Sequence, residues 1–413
     1  MSMTATVPTA VRPPFGARRL LGLPAPDLAT TVRTLGPLPW QGGPVRLLRA
    51  VEASGLAGRG GAGFPSWRKL AEVSLGDRPV VVANGAEGEP TSDKDATLLR
   101  TSPHLVLDGL QLAAEAVGAD RAYAYVRPAA VPVLRQAIAE RAGLDRYAVT
   151  VVAKRGGFLA GEETAVVSAL SGRAPRPTDR PPLVVHSGVR GRPTLVHNVE
   201  TLAHLALLAR FGSDWFRTQG TYDEPGTMLT TVSGAVDTPG VYEVPLGTPV
   251  RDVLATAGGP SARLGAVLLG GYHGAWVPGD ALAAPLSRAG LAAYGATPGA
   301  GIVVALPAGE CGLTATASIA EYLAGESAGQ CGPCMFGLPA LAEQLRALLS
   351  GRSTPPQVER LTRLVTGRGA CHHPDGTARL VASALRTFAD DVSAHLTGRC
   401  VSARGSDRTE ARP

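Results

Sequence analysis

The apolar positions change their period along the chain, and each change marks a different kind of element. Between about residues 46 and 215, short apolar runs alternate with stretches at helical spacing. The runs are "PVVVANG" (79–85), "RAYAYV" (121–126) and "YAVTVVA" (147–153); the helical stretches include "HLVLDGLQLAAEAVG" (104–118) and "AAVPVLRQAIAERAG" (129–143). Strands alternating with amphipathic helices predict βαβ units and a parallel sheet covered on both faces. The texture then changes. "TMLTTVSGAVDTPGVYEVPLGTPVRDVLATAGG" (227–259) shows short strands, a D-T-P-G turn and one helix, with further strands in "AVLLGGYHGAWV" (266–277) and "GIVVALP" (301–307). That predicts a small α+β module. Beyond about 310 the pattern turns helical, with apolar stripes at Leu338, Leu341, Leu345 and Leu348, at Val358, Leu361 and Val365, and at Val381, Leu385, Phe388 and Val392. Three such helices predict a small bundle. The expected division is a Pro-rich arm (1–45) with at most one short helix, an α/β domain (46–215), an α+β domain (216–308), a helical domain (309–400) and a disordered tail (401–413).

Composition narrows the function classes. Hydrophobic residues at 45% and charged residues at 18% describe a chain that buries a core. The net charge of +6 comes from scattered basic residues with no Lys/Arg run beside aromatics, so nucleic acid is not an expected partner. The first twenty residues lack an apolar signal-like stretch, and no uncharged apolar run is long enough to span a bilayer. Five cysteines, an odd number, argue against a disulfide framework and for a reducing, cytoplasmic setting, with any membrane association peripheral and through a partner. Only three of the 40 basic residues are lysines, Lys69, Lys94 and Lys154, which draws attention to their surroundings.

Four stretches carry candidate chemistry. "GLAGRGGAGFPSWRKL" (55–70) crowds glycines around Arg59, so backbone N–H groups can approach a phosphate or a flat ring; it fits neither familiar phosphate loop, and a flexible turn accounts for it equally well. "NGAEGEPTSDKD" (84–95) follows an apolar strand, the edge where open α/β sheets bind ligands. Its Glu87, Glu89, Asp93 and Asp95 suit ribose hydroxyls or a metal, or a solvated acidic loop. "FLAGEETAVVSALSGR" (158–173) puts Glu162 and Glu163 in a first helical turn, where the dipole alone favours carboxylates. "RGRPTLVHNVETLAHL" (190–205) sets His197 and Asn198 before another helix.

The sharpest signal is "ESAGQCGPCMFG" (326–337). Cys331 and Cys334 have the spacing of a redox disulfide, half a zinc site or part of an iron–sulfur ligand set. A thioredoxin-like role fits poorly, because the motif precedes a helical bundle; three cysteines with one histidine keep zinc open. Cys311 and Cys400 lie outside the pattern and read as structural thiols.

Taken in order, "GRGGAGFP", "NGAEGEP…KD", "GEETA", "RPTLVHNVETLA", "VSGAVDTPGVYEVPLGT" and "ESAGQCGPC" resemble the NADH-binding, flavin-containing subunit of respiratory complex I and its relatives in soluble hydrogenases and formate dehydrogenases. The resemblance spans about residues 50–395. It implies a Rossmann-like FMN/NADH-binding α/β domain, a ubiquitin-like SLBB domain and a cluster-bearing helical bundle. Carried over by position, Arg59, Gly60, Gly61, Gly63, Phe64 and Lys69 would lie against FMN and NADH. Asn84, Glu87 and Glu89 would face flavin and nucleotide, Gly161, Glu162 and Glu163 the isoalloxazine, and His197, Asn198 and Thr201 the FMN phosphate region. Cys331, Cys334 and Cys371 match three of the family's four cluster cysteines; the first is Ala328 here. The implied ligand is a [4Fe–4S] or [3Fe–4S] cluster on three cysteines, with His372 and His373 beside Cys371 as substitutes to test. The implied activity is NAD(P)H oxidation: hydride passes to FMN, then single electrons pass through the cluster to an acceptor such as a ferredoxin or a membrane redox protein. Further departures are Ala86, Ala96, Phe158, His197 and Met335, and a Phe frequent near Leu183 is absent. The competing expectation is a catalytically silent paralogue serving as a scaffold or assembly partner.

Overall fold

A computed structural model describes residues 18–179 and 182–400. Residues 1–17 of the expected arm and the whole expected tail lie outside them. In the first part, β1 (Val80–Gly85), β2 (Arg121–Val126), β3 (Val149–Ala153) and β4 (Thr194–Asn198) form one sheet in the order β3-β2-β1-β4, and every neighbouring pair is parallel. The strands are separated by helices, as the sequence pattern demands: α1 (Leu28–Leu35), α2 (Pro44–Ser54), α3 (Ser66–Ser74), α4 (Lys94–Thr101), α5 (Pro103–Val117), α6 (Val131–Glu140), α7 (Glu163–Leu170) and α8 (Val199–Arg217). Alternation along β1 shows why both faces must be covered. Val81 and Ala83 join the core that contains α2, α3, α5 and α8, while Val80 and Val82 join the opposite core with Val166, Val167 and Leu170 of α7.

One strand was not legible. "TLVHN" runs into α8 without a turn residue, because Asn198 both ends β4 and caps the helix, its side chain accepting the N–H of Glu200. The arm is also more firmly held than its composition suggests. Leu20 is fully buried, and the N–H groups of Arg19, Leu20 and Leu21 all donate to the Glu243 carboxylate.

The second sheet is mixed. It holds β5 (Thr227–Gly234), β6 (Gly240–Pro245), β7 (Leu264–Leu269), β8 (Ala275–Pro278) and β9 (Ile302–Pro307) in the order β6-β5-β9-β7-β8, with β5 and β9 parallel and the other pairs antiparallel. Val267, Leu269, Val303 and Ala305 pack against α9 (Val250–Thr256) and the short α10 (Arg288–Leu291). On the other face, Ala266, Leu268, Trp276 and Leu306 pack on helices of the C-terminal region.

That region contains α11 (Gly312–Gly325), α12 (Leu338–Leu349), α13 (Pro355–Val365), α14 (His373–Thr387) and α15 (Ala389–Leu396), five helices where three were expected. The four leucines of the 338–348 stripe are buried as predicted. The third expected helix breaks at Phe388, whose φ of −111° and ψ of 37° leave the helical region while its ring packs edge-on against Trp276 at 5.2 Å. Burial of that ring on the second sheet outweighs continuation of the helix.

The closest helix contact gives a test of the packing. A Cβ on Gly109 of α5 would stand 1.8 Å from the Leu202 carbonyl oxygen of α8, a backbone atom that cannot move aside. Gly109→Ala is expected to cost about 1–3 kcal/mol through overpacking, read as a lower thermal midpoint. Gly325→Ala, with nothing within 4 Å, is expected to leave the midpoint unchanged.

Candidate cofactor site at the sheet edge

The site is built from the C-terminal ends of β1 and β4, where loops leave a parallel sheet. Asn84, near the end of β1, donates its amide to the Gly161 carbonyl at 2.9 Å and so ties β1 to the turn before α7. Glu87 adopts a left-handed φ of 40° and turns its carboxylate inward. There it accepts the hydroxyl of Ser92 and the N–H groups of Asp95 and Ala96, capping α4. Arg127, at the end of β2, donates to the carbonyls of Glu87, Glu89 and Ser92 and fixes the loop from outside. Gly88 is required for the close approach of this loop to the next, since a Cβ there would lie 2.1 Å from the Phe158 carbonyl oxygen. Glu89 reaches the second sheet, accepting the Tyr272 N–H at 3.1 Å. The solvated acidic loop is thus mostly internal; Asp93 alone of its four carboxylates is largely exposed.

The glycine loop lies across this edge. The Arg59 N–H donates to Thr201 Oγ1 at 2.9 Å, and its guanidinium, buried, donates to the carbonyls of Thr227 and Pro225. Arg59 is therefore a strut joining the loop to the second sheet, and Thr201 is the peg it hangs on. Glu162 is likewise internal: it caps α7, accepting from the N–H groups of Thr164 and Ala165. Asn198 is held in a buried charge cluster. Its Oδ1 accepts from the Lys94 ammonium at 3.2 Å, and that ammonium also meets Asp95 at 2.9 Å and Glu200 at 2.7 Å. Burial pulls the Lys94 pKa down, but the two carboxylates outweigh it and hold the group firmly charged.

What remains open toward a ligand is a smaller set. Gly60 and Gly61 present backbone, while Gly63 is covered by the Arg288 guanidinium; Phe64 is exposed, and Lys69 of α3 bridges to Glu163 of α7 at 2.5 Å across the mouth. His197 is buried at the end of β4 and its Nε2 has no protein partner. Burial, helped by the Lys69 charge, lowers its pKa to about 3, so the ring is neutral and offers an uncharged hydrogen bond. A Cβ on Gly60 would sit 3.5 Å from the Asn198 Cβ, filling the space between loop and strand end. An orphaned buried nitrogen beside a glycine-lined cradle fits a flat, polar-edged ligand such as FMN.

Next to this cradle stand the cysteines. Cys334 lies in a π-type turn (Pro333–Gly337), Cys331 precedes it, and Cys371 lies two residues before α14. Burial, with Cys331 and Cys371 close by, pushes the Cys334 thiol up to about 12. Burial also raises Cys371, which feels the carboxylate of Glu162 and so lies beside the loop that carries Glu163. Groups this costly to ionise alone are suited to a cationic centre that takes them as thiolates. Cys331 and Cys371 both act electrostatically on the Cys334 thiol, so the three gather in one place. Neither histidine replaces the missing ligand. His373 is buried with both nitrogens occupied, Nδ1 by His273 Nε2 and Nε2 by the Leu323 carbonyl, and His372 points to solvent beside Asp375.

Three family models match the chain in this order: the Nuo51 FMN-binding domain over residues 51–207, the SLBB domain over 229–269, and the NADH-ubiquinone oxidoreductase-F iron-sulfur binding region over 314–395. The NADH-quinone oxidoreductase F subunit of Streptomyces coelicolor is 34% identical, the alignment covering 89% of this chain and 88% of that protein. This chain belongs to that family. The F subunit of Mycobacterium tuberculosis is 35% identical over 86% of the chain and 85% of its own length. Among solved structures, an NAD+-reducing [NiFe]-hydrogenase in the air-oxidized state superposes with a TM-score of 0.79 at 32% identity, over 88% of this chain and 65% of that one. The chain thus spans about two thirds of the hydrogenase chain it resembles.

Residue types alone hid the supporting members of this family site. Arg127, Glu200 and Glu326 are distant from the motifs' centres or inconspicuous within them, yet each holds a loop: Glu326 accepts the Phe158 N–H at 2.7 Å and so docks the helical region onto the turn before α7. Glu200 accepts the Leu229 N–H of β5 at 2.8 Å.

Burial raises the Glu89 pKa to about 7 from its ordinary 4.5. The folded chain keeps that proton through the window from about 4.5 to 7 while the unfolded chain releases it, so stability falls as pH rises through this window and is flat above it. Glu89→Gln removes the penalty. Its thermal midpoint relative to the parent chain is expected to rise between pH 4.5 and pH 8; a constant difference would contradict the burial of this carboxyl.

Proposed function

We propose that the chain oxidises NADH or NADPH at a flavin seated on the glycine loop and passes electrons through an iron–sulfur cluster on Cys331, Cys334 and Cys371 to an acceptor protein. The observation that carries this reading is the juxtaposition at α7. One turn supplies Glu163 to the mouth of the glycine cradle and places Glu162 within electrostatic reach of Cys371. Bound FMN supplies the conversion of a two-electron donor into single-electron steps, which a cluster then accepts.

The protein's own contribution is positional. The glycine backbone permits close approach to ring and phosphate, His197 Nε2 offers a neutral contact at the ring edge, and the Lys69–Glu163 pair closes the mouth. Asn84, Glu87, Glu162, Asn198 and Thr201 support these groups from behind. Ala328 leaves the cluster set at three thiols, so one iron is held by solvent or is absent. Met335 and Phe336, exposed beside Cys334, mark the face on which an acceptor docks, an apolar contact next to the point where electrons leave. No helix among the described residues is long and apolar enough to cross a membrane, which leaves membrane contact, where it occurs, to such a partner.

An absorption spectrum of anaerobically purified chain, before and after NADH, tests the proposal. Flavin bands that bleach support it. Flavin bands indifferent to NADH and NADPH contradict the donor, and a colourless protein after reconstitution leaves the scaffold reading. Two variants test the cluster. Cys334→Ser is expected to keep flavin reduction but lose reduction of a one-electron acceptor protein by at least about tenfold. Ala328→Cys supplies a fourth thiol, and the variant is expected to hold about four irons per chain with an electron-spin resonance signal different from the parent's. An electron-spin resonance signal identical to the parent's would contradict the three-cysteine assignment.

A further inference from the structure

Cys311 and Cys400, expected as unrelated structural thiols, are brought together by the fold. Cys311 caps the start of α11, and Cys400 lies beyond the end of α15, 89 positions later in the numbering. Between them stands His395 in the last turn of α15. The donor atoms of the three all lie within 4.8 Å of one another, the one three-residue group among the described residues that does so. Cys311 and His395 are buried and Cys400 is half-buried.

The imidazole is oriented for ligation. His395 Nδ1 donates to the Leu349 carbonyl at 2.8 Å, so in the neutral ring Nε2 is the nitrogen with the lone pair, and it faces Cys311 Sγ at 3.3 Å. A backbone carbonyl on the far nitrogen is the usual outer partner of a metal-bound histidine. Sulfur–nitrogen separations of about 3.5 Å and sulfur–sulfur separations of about 3.8 Å follow from tetrahedral zinc with its ordinary bond lengths; the 3.3 Å Cys311–His395 pair already stands near that distance, and the other separations, none above 4.8 Å, shorten by at most about 1 Å to reach it. Asp391, one turn earlier on α15, accepts the Gly312 N–H at 3.3 Å and so braces the backbone next to Cys311.

We propose that Cys311, His395 and Cys400 hold a zinc ion, distinct from the predicted cluster cysteines, with the fourth position taken by solvent. Two thiolates and one imidazole are a soft donor set that favours zinc over magnesium or calcium. Binding releases both thiol protons to solvent, and the two thiolates neutralise the dication, so the buried site carries no net charge. The ion clips α15 and Cys400 to the start of α11, joining the two ends of the helical region. The alternative is a plain hydrogen bond from the Cys311 thiol to the imidazole, with no metal.

Elemental analysis of the full chain, purified anaerobically with zinc in the medium, separates the two. One zinc per chain is expected in the parent and in Cys331→Ser, and none in Cys311→Ser or Cys400→Ser. Cys400→Ser leaves the buried part of the site intact, so its fold is verifiable by circular dichroism. After cobalt substitution, thiolate-to-cobalt charge transfer and tetrahedral bands are expected in Cys331→Ser and absent from Cys400→Ser. A chelator should lower the thermal midpoint of the parent but not of Cys400→Ser. Zinc lost in Cys331→Ser yet retained in Cys400→Ser would overturn the assignment. So would a parent free of zinc, or a Cys311–Cys400 disulfide in the anaerobic protein.

Discussion

The buried Lys94 ammonium is the contact on which the site's geometry depends. It meets Asp95, Glu200 and the Asn198 side-chain oxygen Oδ1 in a space closed to water. Through those partners it joins the N-terminus of α4, the end of β4 and the first turn of α8, and Asn198 and Glu200 extend the join to β1 and β5. Arg59, equally buried, adds a second cation near Glu200, so charge is balanced pair for pair. Removing one member of such a set leaves an uncompensated buried charge, typically costing about 3–5 kcal/mol. The arrangement does not make the chain more stable than an apolar core would. It fixes where the loops around the cradle stand.

A division of labour follows. Most polar residues of the motifs bind other parts of the protein: Glu87 and Glu162 cap helices, Asn84 and Thr201 hold turns, and Arg59 ties the glycine loop to the second sheet. Few groups are left to meet a ligand, and these are backbone, one neutral histidine and one ion pair. This suits a flavoprotein, because the cofactor performs the hard chemistry and the protein positions it. The second sheet also has two faces with two duties. One closes over its own helices, and the other carries the helical region that brings the cysteines toward Glu162.

Much of this was legible in the sequence, and the reasons are specific. Continuous apolar runs separated by amphipathic helices announced the parallel sheet, and the 338–348 stripe announced its helix. β4 was not legible, because Asn198 serves as strand end and helix cap at once and no turn residue separates the two. The break at Phe388 depends on Trp276, a contact across 112 positions that no local period records. The motifs pointed to one edge of the sheet, where the structure gathers them, but residue type could not separate open groups from supports. A glutamate that caps a helix and one that faces a nucleotide look alike until their partners are known. His373 shows the same limit: adjacent to Cys371 in sequence, it is spent on His273 and a carbonyl.

The central claim is that the cradle between the glycine loop and the ends of β1 and β4 is the flavin site. An experimental structure of the chain loaded with FMN tests it most directly. The flavin is expected to lie against Gly60 and Gly61, with an edge within hydrogen-bonding distance of His197 Nε2, and Lys94 is expected to remain enclosed by Asp95, Glu200 and Asn198. Flavin bound elsewhere on the chain, or a His197 ring that reaches no ligand atom, would contradict it.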